Sequence, residues 1–343
     1  MNGFQRNVPL APLTTIGIGG PAKLFFEARS ADDVRDAVAW AQSNGESLLV
    51  LAGGSNVLIA DEGFDGLVMR VHLRGIDVER HGVVKVAAGE PWDDFVAMAV
   101  RNNWAGVECL SGIPGSTGAT PIQNVGAYGQ DVSETIVKVD AFDRTTGAIV
   151  SLTNADCRFA YRDSVFKNEA KDRYVVLSVT FHLRPDGAPL LRYPELQQFA
   201  GDAANLQQVR DAVITIRRKK GMVIDPTDPD TRSDGSFFMN PIVPPSLVRT
   251  DMPHWPAGKN VKLSAAWLIE HAGFHKGFVH GRVGISSKHT LAIINRGGGT
   301  AAEVLELVGM IQDRVREEFG VELRPEPNFI GFDARRPADR TRA

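Results

Sequence analysis

The sequence predicts an α+β protein built from two or three domains. The chain has 343 residues, of which 43% are hydrophobic and 23% charged, and this is enough apolar material for several cores of ordinary size. Two segments carry the apolar spacing of amphipathic helices directly behind capping residues, and many apolar runs have the length of single strands. The 34 glycines add frequent tight turns between them.

The first helix is predicted behind Ser30. Asp33 follows three residues later, and apolar residues then recur at a spacing of three or four until Asn44 and Gly45 end the pattern. The apolar positions are Val34, Ala37, Val38 and Ala41. A second helix is expected at "WDDFVAMAVRNN", residues 92–103.

The last helix is predicted behind Thr300. Thr300 and Glu303 have the spacing of a capping box, and a long apolar stripe follows and ends at Gly320. The final residues, "DARRPADRTRA" at 333–343, have the composition of a disordered tail.

Short apolar runs predict the strands. Residues 48–51 and 57–59 are buried-type runs that flank a glycine loop, residues 53–56, with the sequence Gly-Gly-Ser-Asn. Further strands are expected between about residues 67 and 150, in the runs "GLVMRV", "GVVKVAAGE", "KVDAFD" and "GAIVSL".

The charge balance excludes several classes of partner. The formal net charge is −3 at pH 7, so we expect no surface for nucleic acid or for an anionic membrane. The basic run "IRRKKG" at 216–221 is short and suits a local anion site. Because the chain lacks a signal-peptide pattern and a membrane-length apolar window, we expect a cytoplasmic protein. We also expect a monomer. The isolated Cys109 and Cys157 are expected to be buried free thiols.

The glycine loop is a candidate anion site. Two glycines followed by a hydroxyl and an amide allow successive backbone N–H groups to point at one anion, and a pyrophosphate would fit. Taken alone, a plain hairpin turn is an equal alternative. The stretch "GIGGPA" at 17–22 formally fits a dinucleotide fingerprint, but a strand, "KLFFEA", follows it in place of a helix, so a Rossmann domain is rejected.

A glycine-rich segment, residues 110–129, is harder to explain as a turn. It reads "LSGIPGSTGATPIQNVGAYG", and loops of this length without regular structure are usually functional. Its glycines let backbone approach a ligand closely, and Ser116, Thr117 and Gln123 can donate to phosphate or ring heteroatoms. Together the two loops indicate a dinucleotide on a scaffold other than Rossmann, with FAD as the first candidate.

Six motifs in a fixed order give a more specific signal. The motifs are "LAGGSNVL", "LSGIPGSTGATPIQNVGAYG", "YRDSVFK", "GSFFMNP", "LSAAWLIEHAGFHKG" and "LRPEPNFIG". Together they closely resemble the UDP-N-acetylenolpyruvoylglucosamine reductase family, from about Leu13 to Phe332. The resemblance implies an FAD-binding region of the vanillyl-alcohol-oxidase (PCMH) type, a separate α+β substrate domain, and NADPH as reductant of UDP-N-acetylglucosamine enolpyruvate in peptidoglycan synthesis.

The resemblance also implies a division of the chain and a set of cofactor residues. The expected parts are two FAD-binding subdomains at 1–70 and 71–218, a substrate domain at 219–322, and a returning strand with a tail at 323–343. The residues implied to bind FAD, non-covalently, are Gly53, Gly54, Ser55, Asn56, Val57, Gly115, Ser116, Thr117, Gly118, Gln123 and Gly126.

Three residues are implied to be catalytic: Ser236, Arg162 and Glu326. Hydride transfer to an enolpyruvyl ether builds negative charge beside a carboxylate, which a fixed guanidinium such as Arg162 can stabilise. Burial that raises the pKa of Glu326 would let it assist, and the Ser236 hydroxyl can protonate the adjacent carbon as general acid. Taken singly, each residue has an ordinary structural interpretation, namely a turn serine or a solvated charge.

The nucleotide end of the substrate needs cations and hydrogen-bond donors. Lys220 matches a diphosphate-binding lysine of the family, with Arg217 close by, although the following residues differ from the usual pattern and leave Lys219 as an alternative. Asn240 matches a substrate-binding asparagine. Tyr193 falls where one subtype of the family carries a loop tyrosine.

Parts of the sequence also fit different functions. The stretches "SVFK" at 164–167, "SDG" at 233–235 and "KHT" at 288–290 imitate the motifs of penicillin-recognising serine acyltransferases, but "SVFK" leads through a polar loop into a strand rather than opening a helix. A vanillyl-alcohol-type oxidase or a non-catalytic flavin-binding module would retain the FAD-binding region. His271 and His275 have the spacing of ligands on one helix face, but no third ligand is evident and no metal is expected.

Overall fold

The chain folds into two units, each assembled from separate stretches of sequence. The computed structural model describes residues 3–201 and 205–332. The first unit comprises the described residues up to Arg6, Leu24–Gly53 and Gly66–Lys219, and the second comprises Asn7–Lys23, Gly54–Asp65 and the described residues from Lys220 onward. The tail predicted at 333–343 lies outside the described residues.

Within the described residues, helices and short strands alternate along the chain. The helices are α1 Ala31–Ser43, α2 Trp92–Arg101, α3 Pro194–Ala200, α4 Leu206–Lys219, α5 Ala265–His271 and α6 Ala301–Phe319. The strands are β1 Gln5–Pro9, β2 Pro21–Ala28, β3 Leu48–Leu51, β4 Val57–Ile59, β5 Phe64–Val71, β6 Ile76–Val78, β7 Val83–Ala87, β8 Trp104–Ala105, β9 Gly126–Ala127, β10 Gln130–Asp131, β11 Ile136–Asp143, β12 Ile149–Thr153, β13 Tyr174–His182, β14 Arg184–Pro185, β15 Ile242–Val243, β16 His254–Ala257, β17 Asn260–Leu263, β18 Val279–His280, β19 Val283–Ile285, β20 Ile293–Asn295 and β21 Asn328–Ile330.

The two predicted caps are confirmed. The Ser30 hydroxyl accepts from the N–H of Asp33, whose carboxylate accepts in return from the Ser30 N–H, so both ends of the capping box are closed in α1. Thr300 and Glu303 close the same arrangement at the start of α6, which ends at Gly320 in a left-handed conformation. The apolar positions predicted for both helices are buried.

An antiparallel sheet forms the centre of the first unit. Its five strands lie in the order β12-β11-β13-β7-β6, and a four-stranded sheet in the order β1-β2-β5-β3 is the other large sheet. Trp92 and Phe95 of α2 pack on Phe181 of β13, with ring centroids 5.0 to 5.8 Å apart. These aromatic contacts attach the helix to the sheet. Cys109 and Cys157 are buried free thiols, as predicted.

The second unit packs α5 and α6 with three small sheets. The sheets are β15-β17-β16, β18-β19-β20 and the parallel pair β21-β4. Its core includes Phe237, Phe238 and Ile269, together with the apolar stripe of α6. The carboxylate of Asp61 accepts from the N–H groups of Ala301 and Ala302 and so satisfies free donors at the start of α6.

The glycine loop is not a hairpin. The strand before it, β3, pairs in parallel with β5, whereas the strand after it, β4, pairs in parallel with β21. The hairpin alternative is therefore excluded. Gly54 adopts a φ of +63°, and a Cβ at this position would lie 1.9 Å from the carbonyl oxygen of Leu13, so the loop requires glycine there.

The histidine pair does not share a helix face, because α5 ends at His271 and His275 lies beyond it. His271 donates from Nδ1 to the carbonyl of Trp267, and His275 does so to the carbonyl of Lys276. Within residues 3–201 and 205–332, no helix is both long enough and apolar enough to span a membrane.

Candidate active site

Ser236 lies in a turn whose backbone is fixed on both sides. Gly235 adopts a φ of +74°, a conformation that glycine takes without strain. The N–H of Phe237 donates to the carbonyl of Leu291 over 2.7 Å, and the buried rings of Phe237 and Phe238 meet edge to face at 5.5 Å. Because the Ser236 side chain is only half-buried, the turn holds its hydroxyl at the edge of the core.

Glu326 lies against the same turn. Its N–H donates to the carbonyl of Phe237 over 2.8 Å, and the neighbouring Pro325 forms a β-bridge with Phe238. The carbonyl of Glu326 accepts from Nδ2 of Asn56 at 3.4 Å. The second unit therefore brings the Ser236 turn, Glu326 and one residue of the glycine loop together.

Arg162 belongs to the first unit and is held by the glycine-rich segment. Its Nη2 donates to the carbonyl of Gly126 over 2.5 Å, and its Nη1 to the carbonyl of Asn124 over 3.4 Å. Nη1 also lies 3.9 Å from a carboxylate oxygen of Asp131. The side chain is 20% exposed, so these contacts fix a largely shielded cation.

Glycines in both loops permit close backbone contact. A Cβ at Gly53 would lie 2.5 Å from the Cα of Gly115, and a Cβ at Gly118 would lie 2.5 Å from the side chain of Ala88. At Gly126 a Cβ would lie 1.6 Å from the Asp131 carboxylate. A larger residue at Gly53 or Gly118 would collide with backbone, and one at Gly126 would displace the Asp131 side chain.

The hydroxyl groups of the glycine-rich segment have different environments. The Oγ of Ser116 is buried and has no hydrogen-bond partner among the described residues. The Thr117 hydroxyl is also buried, but it donates to the carbonyl of Glu90 at 3.1 Å. Gln123 is half-buried, as are Ser55, Asn56 and Val57 beyond the glycine loop.

Arg217 and Tyr193 lie in one aromatic and cationic cluster of the first unit. Arg217, in the last turn of α4, is 6% exposed, and burial lowers the pKa of its guanidinium. The rings of Tyr128 and Tyr193 meet edge to face at 5.5 Å. Burial raises the pKa of Tyr128 to about 12, while the nearby Arg217 acts in the opposite direction.

The two candidate lysines differ in environment. The ammonium of Lys219 lies 4.4 Å from the ring centroid of Phe199, a cation–π contact on the first unit. Lys220 is half-buried and begins the last stretch of the second unit. In that unit Asn240 accepts from the N–H of Ala265 at 3.0 Å, so its carboxamide is oriented by the start of α5.

Three residues beside the predicted ones were missed from the sequence. Nε2 of His289 lies 3.3 Å from Oγ of Ser236. Asp234, two residues before Ser236, is 5% exposed and accepts from the Thr15 hydroxyl at 3.3 Å. Tyr128 stands beside Tyr193, and its place in the glycine-rich segment is the signal that could have identified it. His289 and Asp234 lie in the "KHT" and "SDG" stretches, but these stretches do not indicate their contacts, because the partners are distant in sequence.

The serine acyltransferase function is excluded by local structure. Ser164 opens no helix: the chain runs from it through turns into β13. The Ser164 hydroxyl donates to the carbonyl of Ile122 at 2.5 Å, and Ser164 is only 2% exposed. A nucleophile for an external substrate needs a more accessible position than this.

Two family models match separate parts of the chain. Residues 225–330 match the model described as UDP-N-acetylenolpyruvoylglucosamine reductase, C-terminal domain. Residues 22–153 match the model described as FAD binding domain. With the mixed helices and strands, these matches confirm an α+β fold with an FAD-binding region followed by a separate domain.

Similar proteins cover nearly the whole chain. The UDP-N-acetylenolpyruvoylglucosamine reductase of Thermobifida fusca is 49% identical over 351 residues, covering 96% of this chain and 98% of its own. That of Streptomyces coelicolor is 48% identical over 347 residues, covering 95% and 90%. Among solved structures, the UDP-N-acetylenolpyruvylglucosamine reductase of Thermus caldophilus has a TM-score of 0.68 at 26% identity, covering 95% of this chain and 98% of that one.

Proposed function

The chain belongs to the UDP-N-acetylenolpyruvoylglucosamine reductase family, and from this premise we propose that it uses NADPH to reduce UDP-N-acetylglucosamine enolpyruvate to UDP-N-acetylmuramate. At the coarser level it is an FAD-dependent oxidoreductase of peptidoglycan precursor synthesis. The observation that carries the finer proposal is the hydrogen bond of 2.8 Å between the Glu326 N–H and the Phe237 carbonyl. It holds Glu326 against the residue that directly follows Ser236, so two of the three proposed catalytic residues lie on adjoining backbone.

The residues of the two loops fit FAD. The buried Oγ of Ser116, which has no partner among the described residues, offers a donor to a phosphate or flavin heteroatom. Glycine at 53 and 54 lets the loop backbone pack directly against Gly115 and Leu13, and the N–H groups of such a compact loop suit a pyrophosphate. We propose that these positions, with the rest of the loop residues named from the sequence, hold the cofactor.

FAD held by these residues would supply the redox chemistry, which is the transfer of hydride from NADPH to the methylene carbon of the enolpyruvyl ether. The protein must then supply a proton to the adjacent carbon. Ser236 suits this role because its hydroxyl is half-buried on a fixed turn. A serine is a weak acid in water, so the transfer depends on the strongly basic carbon beside it and on the exclusion of solvent by Phe237 and Phe238.

Charge on the substrate carboxylate requires a fixed cation. We propose that Arg162 meets it, because its guanidinium is oriented by the carbonyls of Gly126 and Asn124 and is largely shielded from water. Glu326 is proposed to assist on the side of Ser236, either as a neutral acid or by orienting a donor.

The nucleotide end of the substrate is assigned to a further set of side chains. Arg217 is already desolvated and therefore interacts strongly with an anion that reaches it. Tyr193 is 43% exposed and can move over a bound diphosphate, while Asn240 supplies an oriented amide. Lys220 is the proposed diphosphate lysine, and Lys219, whose ammonium contacts Phe199, is the alternative because the residues after Lys220 differ from the usual pattern of the family.

The finer expectations about the whole protein are part of the same proposal. They are a cytoplasmic location, a monomeric state, and the division of the chain into parts that end at residues 70, 218 and 322. A cytoplasmic location is where NADPH is available. A vanillyl-alcohol-type oxidase and a non-catalytic flavin module are the competing functions that an experiment must distinguish.

An anaerobic absorbance experiment makes this distinction. The purified protein is loaded with FAD and treated with NADPH, and then with UDP-N-acetylglucosamine enolpyruvate. The proposal predicts that the flavin bleaches with NADPH and regains its colour with the substrate, whereas UDP-N-acetylglucosamine without the enolpyruvyl group leaves it bleached. Reoxidation by oxygen alone would favour an oxidase, and an absence of bleaching would favour a binding module.

A further inference from the structure

Oγ of Ser236 has a histidine as its neighbour. Nε2 of His289 lies 3.3 Å from this oxygen, within hydrogen-bond distance. Both residues belong to the second unit. His289 has no part in the roles proposed above, so its position beside the proton donor needs a separate explanation.

The segment that carries His289 is fixed at successive residues. The buried Oγ of Ser286 accepts from the N–H groups of Lys288 and His289, at 3.0 and 3.3 Å. The Ser287 hydroxyl donates to Asp230 over 2.5 Å. These contacts leave the backbone of His289 little freedom, which favours one ring position.

Further contacts join the same segment to its surroundings. Lys288 forms an ion pair with Asp228, and the Thr290 hydroxyl donates to Glu270. The next residue, Leu291, accepts the hydrogen bond from Phe237 described above. The His289 segment and the Ser236 turn are therefore connected by backbone as well as by the side-chain contact, and the distance between Oγ and Nε2 is built into the fold.

The proposed reaction makes a demand that a serine alone meets poorly. When the hydroxyl gives its proton away, the oxygen becomes negative and must be stabilised and reprotonated before the next turnover. An imidazole within hydrogen-bond distance is the side chain best suited to supply a proton near neutral pH. We propose that His289 is the positioning residue of Ser236, which orients its hydroxyl and returns its proton after each turnover; this inference rests on the proposed function.

The proton balance is as follows. The Oγ–H bond of Ser236 breaks as a C–H bond forms at the substrate carbon, and the negative charge of that carbon passes to Oγ. An imidazolium at His289 then donates its Nε2 proton to Oγ, which restores the hydroxyl and leaves a neutral ring. The ring takes its next proton from water, so the cycle consumes one proton from solvent and no further oxidant or reductant.

The first test uses the FAD-loaded enzyme in anaerobic stopped-flow measurements. His289→Ala should leave reduction by NADPH unchanged and slow reoxidation by UDP-N-acetylglucosamine enolpyruvate by about 10²-fold, within the usual range for loss of an acid–base group. Added imidazole should restore much of the lost rate. His275→Ala is the matched control, because His275 is an exposed histidine of the same unit that contacts its own loop.

A double variant separates a role through Ser236 from general damage. If His289 acts through Ser236, the variant with both Ser236→Ala and His289→Ala should reoxidise no more slowly than Ser236→Ala alone. Additive losses, or a His289→Ala variant that imidazole does not rescue, would overturn the inference. If the unaltered enzyme is not reoxidised by the substrate, the proposed function itself fails.

A second readout is independent of turnover. In nitrogen-15 NMR spectra of the imidazole side chains, the signal lost in His289→Gln identifies Nε2 of His289. Ser236→Ala should shift this signal and leave that of His275 in place. If the His289 signal is unchanged, the two side chains do not interact in solution, and the inference falls even if the proposed function stands.

Discussion

The backbone N–H of Glu326 donates to the carbonyl of Phe237, the residue directly after Ser236. The main chain of Glu326 therefore contributes to its position on the turn. A change confined to the carboxyl group keeps this backbone contact.

Glu326→Gln should keep the melting temperature within about 1 °C and lower the rate of flavin reoxidation by about 10²-fold, because it keeps the backbone contact but removes a titratable acid. Stopped-flow absorbance and a thermal melt measure the two effects. Glu317→Gln, at an exposed position of the second unit, is the control. An unchanged reoxidation rate would remove Glu326 from the catalytic residues.

Ser236→Ala should separate the two half-reactions. Flavin reduction by NADPH should remain nearly normal, whereas reoxidation by the substrate should slow by roughly 10²–10⁴-fold because the proton donor is lost. Ser246→Ala, at an exposed serine of the same unit, should change neither rate. Equal losses in both half-reactions would contradict the role of general acid.

Arg162→Lys should be damaging although the charge is retained. A lysine cannot reproduce two donors that are fixed by the carbonyls of Gly126 and Asn124, so we expect kcat/KM for the substrate to fall by about 10²-fold. Steady-state kinetics give the value, with Arg158→Lys, in an exposed ion pair with Glu169, as the control. Similar values for both variants would mean that charge alone suffices.

Asp234→Asn should stabilise the protein at alkaline pH. Burial raises the pKa of Asp234 well above its usual 3.8, and the hydrogen bond from Thr15 only partly opposes this. The folded state therefore holds a proton that the unfolded chain releases, and wild-type stability falls as pH rises from about 4 through the raised pKa.

The variant removes that loss. Its melting temperature should exceed that of the wild type by about 1–2 °C at pH 8 and by little at pH 4, a difference that roughly 1 kcal/mol produces in a protein of this size. Calorimetry at both pH values measures it, with the exposed Asp251→Asn as control. An equal shift at both pH values would show that ionisation is not the cause.

Asp140→Asn should have the opposite dependence on pH. Burial raises the pKa of Asp140, but hydrogen bonds from Ser151 and Lys85 outweigh this and lower it to about 2. The stability that the carboxylate contributes is therefore present above about pH 4 and is lost as pH falls from 4 to 2. The wild type should melt higher than the variant at pH 6, and the difference should disappear near pH 2, measured by circular dichroism.

The sequence correctly predicted the features that depend on residues close together in the chain. The caps at Ser30 and Thr300 bond within three residues, so spacing alone indicates them. It failed where strand partners are distant in sequence. The glycine loop was as consistent with a plain hairpin turn as with an anion-binding loop, and only the pairing of β4 with β21 excludes the hairpin. A local pattern carries no information about such a partner.

The same distinction applies to the site. Glu326 and Ser236 were named through family motifs, whereas His289 and Asp234 entered only as members of the "KHT" and "SDG" stretches and were given no role. Their significance comes from contacts with Ser236 and with Thr15, which only the folded chain brings close. The spacing of His271 and His275 was misleading for the opposite reason, since the helix ends before the second of them.

The parallel pairing of β4 with β21 has a consequence for synthesis of the chain. Asn56 and Ala60 form backbone hydrogen bonds with Asn328 and Ile330. The β4 strand therefore cannot pair until residues 328–330 have been made. On the ribosome, the central stretch of the first unit can collapse early, while β4 stays without β21 until residues 328–330 have been synthesised. A nascent chain stalled before residue 328 would expose that strand to aggregation or to chaperones.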